Sequence, residues 1–437
     1  MILNRVRNNF FWLIDSFKGS HIKNQLKEVT LGIQCPNSNN AKQTKTKSLD
    51  NLLNHAITTT PYYSSLKTFN TILDFPVIRK TTIQNDFSQF QSTKFRDKDN
   101  FKVSTSGSTG VPFFLFQDKG KRIRNSADNL YFFKNSGYKV GNKLYELEVW
   151  RGHNQKSKFK SLLQNAYQFD ISRLTDDRIE TFLDLLKSDK QKDKIILGFA
   201  SSYEMIAQYL EKSQSKLKGL NINSAIANSE YLNPYTKNTL AKHLDTTVLS
   251  RYSSEEIGII AQQTLKSPNS FVINHASYNV EILNLDNDIP VKPGEFGRIV
   301  VTDLFNYAMP IIRYDTGDIA KLGLNKNGTI ELEQIEGRKM DVIYDSQGQL
   351  ISSFVIYTKF YKYYTLLKQY QFIQQGEKEY EVKLNLQADH FEFENELVAS
   401  IKSDFGEDAK VIISYVDEIP PLSSGKRRKV INNFKKS

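Results

Sequence analysis

Cysteine is almost missing from this sequence, in which Cys35 is the only one among 437 residues. One thiol cannot build an internal disulfide framework or a cysteine-based metal cluster, and its isolation fits a reducing compartment. Histidine is also scarce, and the six histidines never fall at the spacing of metal ligands. We therefore expect a cytoplasmic protein.

Long apolar runs are absent as well. The N-terminal stretch FFWLIDSF is interrupted at Asp15 and Lys18, far short of the ~20 residues of a membrane span. It also lacks the basic region and the small-residue cleavage site of a secretory signal. We interpret it as an amphipathic helix packed on the protein, with an aromatic docking helix as the alternative.

Acidic residues are outnumbered by basic ones. The chain has 59 Lys and Arg against 48 Asp and Glu, a formal net charge of +11, which suits anionic partners such as nucleotides, nucleic acid or an acidic membrane face. The basic residues are scattered, apart from the tail GKRRKVINNFKKS, and no helix-turn-helix, zinc-finger or RNA-binding signature occurs. We expect no nucleic-acid partner. A basic nucleic-acid-binding protein is kept as a rival, which a steeply salt-dependent affinity would reveal.

The length predicts two or three domains, because a single core stops growing at roughly 250–300 residues. Residues 1–100 are predicted to be mostly helical, and in SLDNLLNHAITTTPYY the apolar residues recur at helical spacing until Pro61. A second amphipathic helix is predicted in DKGKRIRNSADNLYFFKNSGY.

The rest of the chain changes pattern twice. Residues 143–249 alternate short apolar runs with helical stretches, which predicts a mixed, largely parallel sheet wrapped by helices. Residues 270–335 are predicted to be strand-rich, and a small α+β pattern follows. We predict an α/β fold with a large N-terminal mixed α/β domain that includes a β-rich subregion, residues 1–336, and a small mobile α+β C-terminal domain, residues 337–437.

Residues 104–113 read STSGSTGVPF, poor in bulk and rich in hydroxyl groups. Gly107 and Gly110 permit close approach of a ligand to the backbone, and the hydroxyl and N–H groups can donate to a phosphate. A Walker A motif is excluded, because Pro112 stands where its second glycine would fall. We interpret the segment as a phosphate-binding loop, with a flexible Gly/Ser turn as the alternative.

Three later motifs carry further candidate groups. In SRYSSEEIG the carboxylates follow a predicted strand end at Arg251, where α/β sheets bind ligands, and their oxygens suit Mg²⁺. A solvated glutamate pair at a helix start is the alternative. In MPIIRYDTGDIA, Asp318 follows a tight glycine turn and offers two acceptor oxygens to a ribose. In PPLSSGKRRK, Lys426 lies on a loop, unless the segment is only a basic tail.

Taken together, these four motifs resemble those of the adenylate-forming superfamily of acyl-coenzyme A synthetases, peptide-synthetase adenylation domains and luciferases. That pattern also contains a Gly-Arg hinge, here Gly337 and Arg338, and the resemblance spans residues 101–429. The softer stretches HAITTTPYY, LDFPVIRK, NVEILN, GEFGRIVVTDL and AMPIIRYDTGD look most like the phenylacetate-coenzyme A ligase branch, including its relatives in capsular polysaccharide biosynthesis.

The resemblance implies a role for each matched residue. Lys426 would bridge the substrate carboxylate and the α-phosphate, and Glu256 would act in catalysis as the ligand of Mg²⁺. The implied phosphate-binding residues are Ser104, Thr105, Ser106, Gly107, Ser108, Thr109 and Gly110. The implied adenine and ribose residues are Ser229, Glu230, Tyr252, Ser253, Asp318 and Arg338. The hinge would lie at Met340 or Asp341.

The implied reaction is attack of a small carboxylic acid on ATP, with Mg²⁺, to give an acyl-adenylate and pyrophosphate, followed by transfer to the thiol of coenzyme A. The alternative acceptor is a sugar amine or hydroxyl, or a carrier protein, in capsule or surface-polysaccharide biosynthesis. Peripheral association with such a complex and homodimerisation stay open. A catalytically silent nucleotide-binding scaffold is an alternative of another class. The acid pocket is expected between Tyr131 and Trp150 and between Phe199 and Tyr203, with aromatic or apolar walls.

Some positions depart from the family pattern. Phe113 replaces the basic residue that many relatives carry after the loop's proline, and Ser253 stands where glycine is common. The acidic residue often found two positions after the hinge arginine is Met340, with Asp341 one place later. The pivot is therefore left open between these two residues.

Overall fold

A computed structural model gives the fold of this chain. It describes residues 2–105, 113–150, 155–215, 217–338, 343–351, 353–364, 366–387, 389–420 and 428–434. Within those ranges, no helix combines the length and apolarity needed to cross a bilayer.

The first hundred residues are mainly helical, as the sequence pattern predicts. The third helix starts earlier than its apolar spacing suggests, because the Ser38 side chain accepts a hydrogen bond from Ala41 N and caps it. It ends at Thr59, just before Pro61. The five helices are α1 (Ile2–Phe17), α2 (His21–Gln34), α3 (Asn39–Thr59), α4 (Lys80–Asn85) and α5 (Phe87–Phe90).

An antiparallel hairpin follows. Strand β1 (Phe101–Thr105) pairs with β2 (Phe113–Gln117), and the last pair is Thr105 with Phe113. Helix α6 (Lys119–Asn135) begins directly afterwards, where Asp118 Oδ1 accepts from Lys121 N at 3.0 Å. The hairpin therefore holds the two ends of the candidate phosphate loop, whose residues 106–112 lie outside the described ranges.

The next segment alternates strands and helices as predicted, and its five strands are parallel. Continuous burial along KIILGF is typical of a strand covered on both faces. The elements are β3 (Leu144–Glu148), α7 (Lys158–Gln164), β4 (Ala166–Asp170), α8 (Asp176–Ser188), β5 (Lys194–Phe199), α9 (Ala200–Ser213), β6 (Ile222–Asn228), α10 (Pro234–Leu244) and β7 (Thr247–Ser254).

The strand-rich segment continues the same sheet in the antiparallel sense. In the described part of the chain, eleven strands form one sheet in the order β10-β11-β12-β13-β9-β8-β7-β6-β5-β3-β4. The sheet is therefore mixed, parallel in one part and antiparallel in the other. The added strands are β8 (Gly258–Thr264), β9 (Ser267–Ile273), β10 (Tyr278–Leu283), β11 (Phe296–Asp303), β12 (Tyr314–Leu324) and β13 (Ile330–Arg338).

A small C-terminal domain has a sheet of four strands and a hydrophobic core of its own, built around Phe360, Phe372, Val382 and Phe405. The predicted boundary between residues 336 and 337 stays a prediction, since residues 339–342 lie outside the described ranges. The elements are β14 (Ile343–Tyr344), β15 (Leu350–Ile351), α11 (Ser353–Phe360), β16 (Leu367–Gln374), β17 (Glu379–Leu386), α12 (Glu394–Phe405), β18 (Lys410–Tyr415) and β19 (Val430–Asn432).

Buried charges attach α6 to the antiparallel half of the large sheet. Lys121 Nζ lies 2.7 Å from Asp303 Oδ2, and both side chains are fully buried. Lys121 also donates to the Tyr278 hydroxyl at 3.2 Å. Burial raises the pKa of Asp303, and Lys121 opposes the rise. The pair therefore depends on both partners being present.

Replacing Lys121 with methionine should leave the Asp303 charge buried without its cation. We expect Lys121→Met to lower the free energy of unfolding by roughly 3–5 kcal/mol, measured by urea denaturation. The neighbouring, exposed Lys119→Met should change it by no more than about 0.5 kcal/mol. Similar losses in the two variants would contradict a stabilising role for the buried pair.

Candidate active site

Several sequence motifs meet at one edge of the large sheet. The parallel strands β3, β5, β6 and β7 end there, and in α/β sheets this carboxyl edge is where ligands bind. Glu148, Phe199 and Asn228 are the last residues of the first three strands. β7 runs on to Ser254, past the end predicted at Arg251, because it pairs with antiparallel β8 from Arg251 onward.

A hydrogen-bonded cluster joins β7 to β12 at this edge. The Tyr252 hydroxyl lies 2.7 Å from Asp318 Oδ2 and 3.1 Å from Thr316 Oγ1. Burial is the main cause that raises the pKa of Tyr252, and the Asp318 charge adds to it. The phenol therefore stays protonated, donates to the carboxylate and orients it. Arg338 is the backbone partner of Asp318 on β13.

Glu256 follows β7 in a turn that is held from the hairpin side. Gln117, fully buried at the end of β2, donates through Nε2 to the carbonyl oxygens of Glu255 and Glu256 at 3.4 and 3.3 Å. Burial raises the pKa of the Glu256 carboxyl, and nearby Asp318 adds to the rise. The sequence analysis did not identify Gln117, which has no motif of its own.

The Glu256 carboxylate fits a cation. Its Oε2 atom is buried and has no hydrogen-bond partner among the residues that the structure describes, and such an atom calls for a ligand. No group of three or more His, Cys, Asp or Glu in the described ranges could hold a metal ion. Mg²⁺ bound with phosphates usually takes one or two protein carboxylates together with substrate oxygen atoms, and the buried Glu256 Oε2 is the candidate carboxylate here.

Lys80 is a second group that the sequence analysis missed. It starts α4, and its Nζ lies 5.3 Å from the centroid of the Phe113 ring. Its positive charge opposes the rise in the pKa of Glu256. Ile78 fixes the segment, because its N–H donates to Arg313 O at 3.0 Å and its carbonyl accepts from Asp315 N at 2.8 Å. The sequence signal that could have indicated Lys80 is Phe113, because many relatives carry a basic residue at that position.

The other predicted nucleotide-binding residues lie at the same edge, and they differ in how far their groups already take part in contacts of the fold. Ser229 has a left-handed backbone with φ of 67°. Glu230 Oε2 accepts from Ser201 N at 2.8 Å, so its carboxylate caps the first turn of α9. Ser253 lies in β7 opposite Ile259, and Ser104 is exposed in β1 opposite Phe114.

Several predicted residues fall outside the described ranges or have only their backbone described. Thr105 and Arg338 are placed by their strand pairing. The residues outside the described ranges are Ser106, Gly107, Ser108, Thr109, Gly110, Met340, Asp341 and Lys426. Their roles stay predictions.

The expected acid pocket is only partly free for a ligand. Tyr131 is buried in the core beside α2. The Tyr203 hydroxyl donates to Ile196 O and Ile226 O, both at 3.1 Å, within the sheet. These two rings therefore belong to the core, while the ends of the predicted stretches, around Glu148 and Phe199, reach the carboxyl edge.

The C-terminal domain rests on this edge. Lys429 forms an ion pair with Glu204 of α9, and the rings of Tyr235 and Tyr364 lie 4.5 Å apart. Glu204 Oε1 also accepts from Asn233 Nδ2 at 3.4 Å. The segment that follows Lys426 in the sequence is thus attached beside Ser229 and Glu230.

A family model and two known proteins are similar to this chain in sequence. Residues 343–433 match the family model of the CapK C-terminal domain. The Protein CapK of Staphylococcus aureus is 22% identical over 374 residues, which cover 83% of this chain and 81% of that protein. The phenylacetate-coenzyme A ligase of Escherichia coli (strain K12) is 25% identical over 158 residues, 36% of each chain.

Solved ligase structures share the fold. 2-Hydroxyisobutyryl-CoA ligase in the postadenylation state, in complex with R3-HIB-AMP, has a TM-score of 0.72 at 15% identity and covers 91% of this chain and 90% of that one. The same ligase in the thioesterification state has a TM-score of 0.59 at 16% identity, with 93% and 92% covered. ATP-bound MatB from Rhodopseudomonas palustris has a TM-score of 0.56 at 15% identity, with 79% and 71% covered.

The large mixed α/β domain with its small C-terminal domain defines an acyl-CoA ligase fold. Together with the two sequence relatives and the C-terminal family match, this fold supports the adenylate-forming superfamily. Its phenylacetate-coenzyme A ligase relative and its structural neighbours are ligases, which supports an enzymatic role.

Glu148 gives the edge a group that titrates near neutrality. Burial raises the pKa of Glu148 to about 7, and the charges of Glu146 and Glu255 add to the rise, while Lys156 opposes it. The folded chain therefore holds this proton more tightly than the unfolded chain does. Stability should accordingly fall as the pH rises from the ordinary value of 4.5 to about 7.

Glu148→Gln should remove this pH dependence, because an amide does not titrate. We expect the wild type to lose roughly 1–2 kcal/mol more than the variant between about pH 5 and pH 8, since partial exposure of Glu148 reduces the 1.36 kcal/mol per pKa unit. Urea denaturation across that range measures the difference, with the exposed Glu180→Gln as control. Parallel curves for wild type and Glu148→Gln would contradict the assignment.

Proposed function

We propose that this chain is an ATP- and Mg²⁺-dependent ligase that activates a small carboxylic acid as an acyl-adenylate and transfers the acyl group to the thiol of coenzyme A. The observation that carries the proposal is the convergence of the Tyr252–Asp318 pair and Glu256 beside the β1–β2 hairpin, where Glu256 Oε2 has no hydrogen-bond partner within the described ranges. Groups that are far apart in the sequence there form one site on a ligase fold.

The nucleotide would lie along the carboxyl edge. Asp318, oriented by the Tyr252 hydroxyl, would accept hydrogen bonds from the two ribose hydroxyls. The backbone at Ser229 and Glu230 would form one wall of the adenine site, and the Tyr252 ring would lie near the other. Because Glu230 already caps α9, its contribution would be to fix that wall rather than to bind the base directly.

The first half-reaction forms a bond between a substrate carboxylate oxygen and the α-phosphorus of ATP and breaks the bond from that phosphorus to the pyrophosphate oxygen. Bound Mg²⁺ would supply neutralisation of phosphate charge. N–H and hydroxyl groups of residues 104–110 would hold the β- and γ-phosphates, and Lys426 would bridge the carboxylate and the α-phosphate. Catalysis of this kind is largely positioning and electrostatic stabilisation.

Lys80 would supply a positive charge near Phe113, the position at which many relatives carry a basic residue. Its position over Phe113 places it next to the C-terminal end of the phosphate loop, and its charge acts on Glu256. We infer that Lys80 takes over the electrostatic task of the basic residue that Phe113 replaces, stabilising charge on the departing pyrophosphate.

The second half-reaction would need a movement of the C-terminal domain. The thiol sulfur attacks the acyl carbon, the carbon–oxygen bond to AMP breaks, and the thiol proton passes to solvent. Release of the Lys429–Glu204 contact would allow a rotation about Met340 or Asp341. A sugar amine or hydroxyl, or a carrier protein, would enter at the same step.

Pyrophosphate release tests the proposal. The purified chain with Mg-ATP is assayed against a panel of aryl, fatty, hydroxy and amino acids, each with and without coenzyme A. Release with a particular acid, together with a coenzyme A thioester, is the expected result. Release without a thioester would move the acceptor to a sugar or carrier protein. ATP binding without release across a broad panel would favour a silent nucleotide-binding scaffold.

Asp318→Ala should weaken ATP binding, because it removes the carboxylate proposed to accept from the ribose. We expect a loss of affinity of roughly 10- to 100-fold, the value of a charge-assisted hydrogen bond of about 1.5–3 kcal/mol. Isothermal titration calorimetry measures it, and Tyr252→Phe, which keeps the carboxylate but removes its donor, should lose less. Unchanged affinity in Asp318→Ala would count against the ribose assignment.

Lys80→Ala should slow pyrophosphate release by roughly 10- to 100-fold through the lost positive charge, while Lys80→Arg should retain much of the rate. The matched control is Lys102→Ala, since Lys102 Nζ lies 4.0 Å from the centroid of Phe114, the neighbouring ring on the opposite face of the hairpin. Single-turnover assays with saturating ATP separate this effect from binding. Equal rates for Lys80→Ala and Lys102→Ala would contradict the role of Lys80.

Lys426→Ala should impair adenylate formation by about 100-fold or more and leave ATP affinity within about threefold, because the lysine is proposed to act on the reacting groups after binding. Lys435→Ala, in the same basic tail, serves as control. Parallel loss of adenylate formation and ATP binding in Lys426→Ala would indicate a binding role instead.

A further inference from the structure

Helix α1 exposes a continuous apolar surface. Six large apolar residues, each 46–84% exposed, lie on its outer side. At 3.6 residues per turn they all fall within about 100° of the helix circumference, with no polar residue between them. This apolar stripe consists of Ile2, Leu3, Val6, Phe10, Leu13 and Phe17. The expected packed amphipathic helix is therefore found only on the inner side of α1, and the exposed apolar stripe has the features of the alternative, a docking helix.

The orientation of the stripe is fixed by the rest of the protein. Asp15 is buried, and its two carboxylate oxygens accept from Ile22 N at 3.0 Å and Lys23 N at 2.9 Å, which holds the corner between α1 and α2. On the inner side, α1 packs so tightly on Gly141 that a Cβ there would lie 2.4 Å from Asn4 O. The inner face is thus docked, and the stripe is held outward.

Helix α7 extends the same surface. Arg7 Nε of α1 donates to Leu162 O of α7 at 3.2 Å, so the two helices lie side by side. Phe159 is 75% exposed and Leu162 is 67% exposed. Apolar patches of this size on a soluble surface commonly mark an interaction site. We call the combined surface of α1 and α7 the docking face.

The charges beside these apolar residues are of one sign. The docking face carries Arg5, Arg7, Lys158 and Lys160. Its single acidic residue, Asp15, is buried and bonded to backbone N–H groups. A second copy of the chain would bring like charges together across such a face, whereas an anionic lipid surface complements them.

We propose that the docking face binds the surface of an anionic lipid bilayer. The apolar stripe enters the boundary between headgroups and acyl chains, and the basic side chains contact lipid phosphates, as in interfacial amphipathic helices. The helix lies on the membrane and does not span it. This property is independent of the ligase reaction.

Vesicle co-sedimentation of the full-length protein tests the proposal. Phosphatidylcholine vesicles are compared with vesicles that contain roughly one third phosphatidylglycerol. We expect binding to the anionic vesicles that weakens as salt is raised. Phe10→Glu/Leu13→Glu should lower the vesicle affinity at least about tenfold, because it places charge within the stripe. Both side chains are exposed, so the fold should be kept, which circular dichroism checks.

The control variant is Asn9→Glu/Ser16→Glu, which adds the same charge to exposed positions of the same helix outside the stripe. Its affinity should fall clearly less than that of Phe10→Glu/Leu13→Glu, because the added charges change the electrostatic attraction but do not enter the apolar stripe. Equal losses in the two double variants, or no vesicle binding by the wild type at low salt, would overturn the proposal. So would a wild-type dimer in sedimentation velocity that Phe10→Glu/Leu13→Glu abolishes, with no vesicle binding, since a second copy would then cover the face.

Discussion

Strand β7 is the constraint on which the rest of the structure depends. Its first half pairs in parallel with β6, and from Arg251 onward it pairs antiparallel with β8. Arg251 is buried at this junction and donates through Nε to Gln262 Oε1 at 2.6 Å. This strand therefore joins the parallel part of the sheet to the antiparallel part, and it places Tyr252 and the Glu256 turn at the carboxyl edge. A slip of one residue in its register would turn Tyr252 to the other face of the sheet.

Buried polar contacts connect this junction to the hairpin and to α6. Gln117 holds the Glu256 turn, and Lys121, four residues later in α6, pairs with Asp303 on β11. Charges buried in this way are costly alone and stable only with their partners. The β1–β2 hairpin, the candidate metal ligand Glu256 and the antiparallel strands are therefore positioned relative to each other by the core, and the C-terminal domain is attached through more accessible contacts such as Lys429–Glu204.

Local patterns predicted much of the fold. The α/β rhythm of residues 143–249, the strand-rich segment after it and the small C-terminal α+β unit are confirmed, because periodicity and turn residues act over a few neighbours. Two expectations needed revision for non-local reasons. β7 continues beyond Arg251 because β8 provides a new partner, and α1, expected as a packed amphipathic helix, packs around Gly141 on one side while its apolar stripe stays exposed on the other.

By itself the sequence determined the resemblance to the adenylate-forming superfamily, since the motifs that carry it are short and keep their order, and it determined which side chains are candidates for chemistry. Only the tertiary structure decided which of them meet. It brought Tyr252 to Asp318, placed Lys80 over Phe113 and left Glu256 Oε2 without a partner in the part of the chain that the structure describes. It also decided which helix face stays in solvent. These relations depend on strand pairing and packing between residues far apart in the chain, and no local pattern encodes such distances.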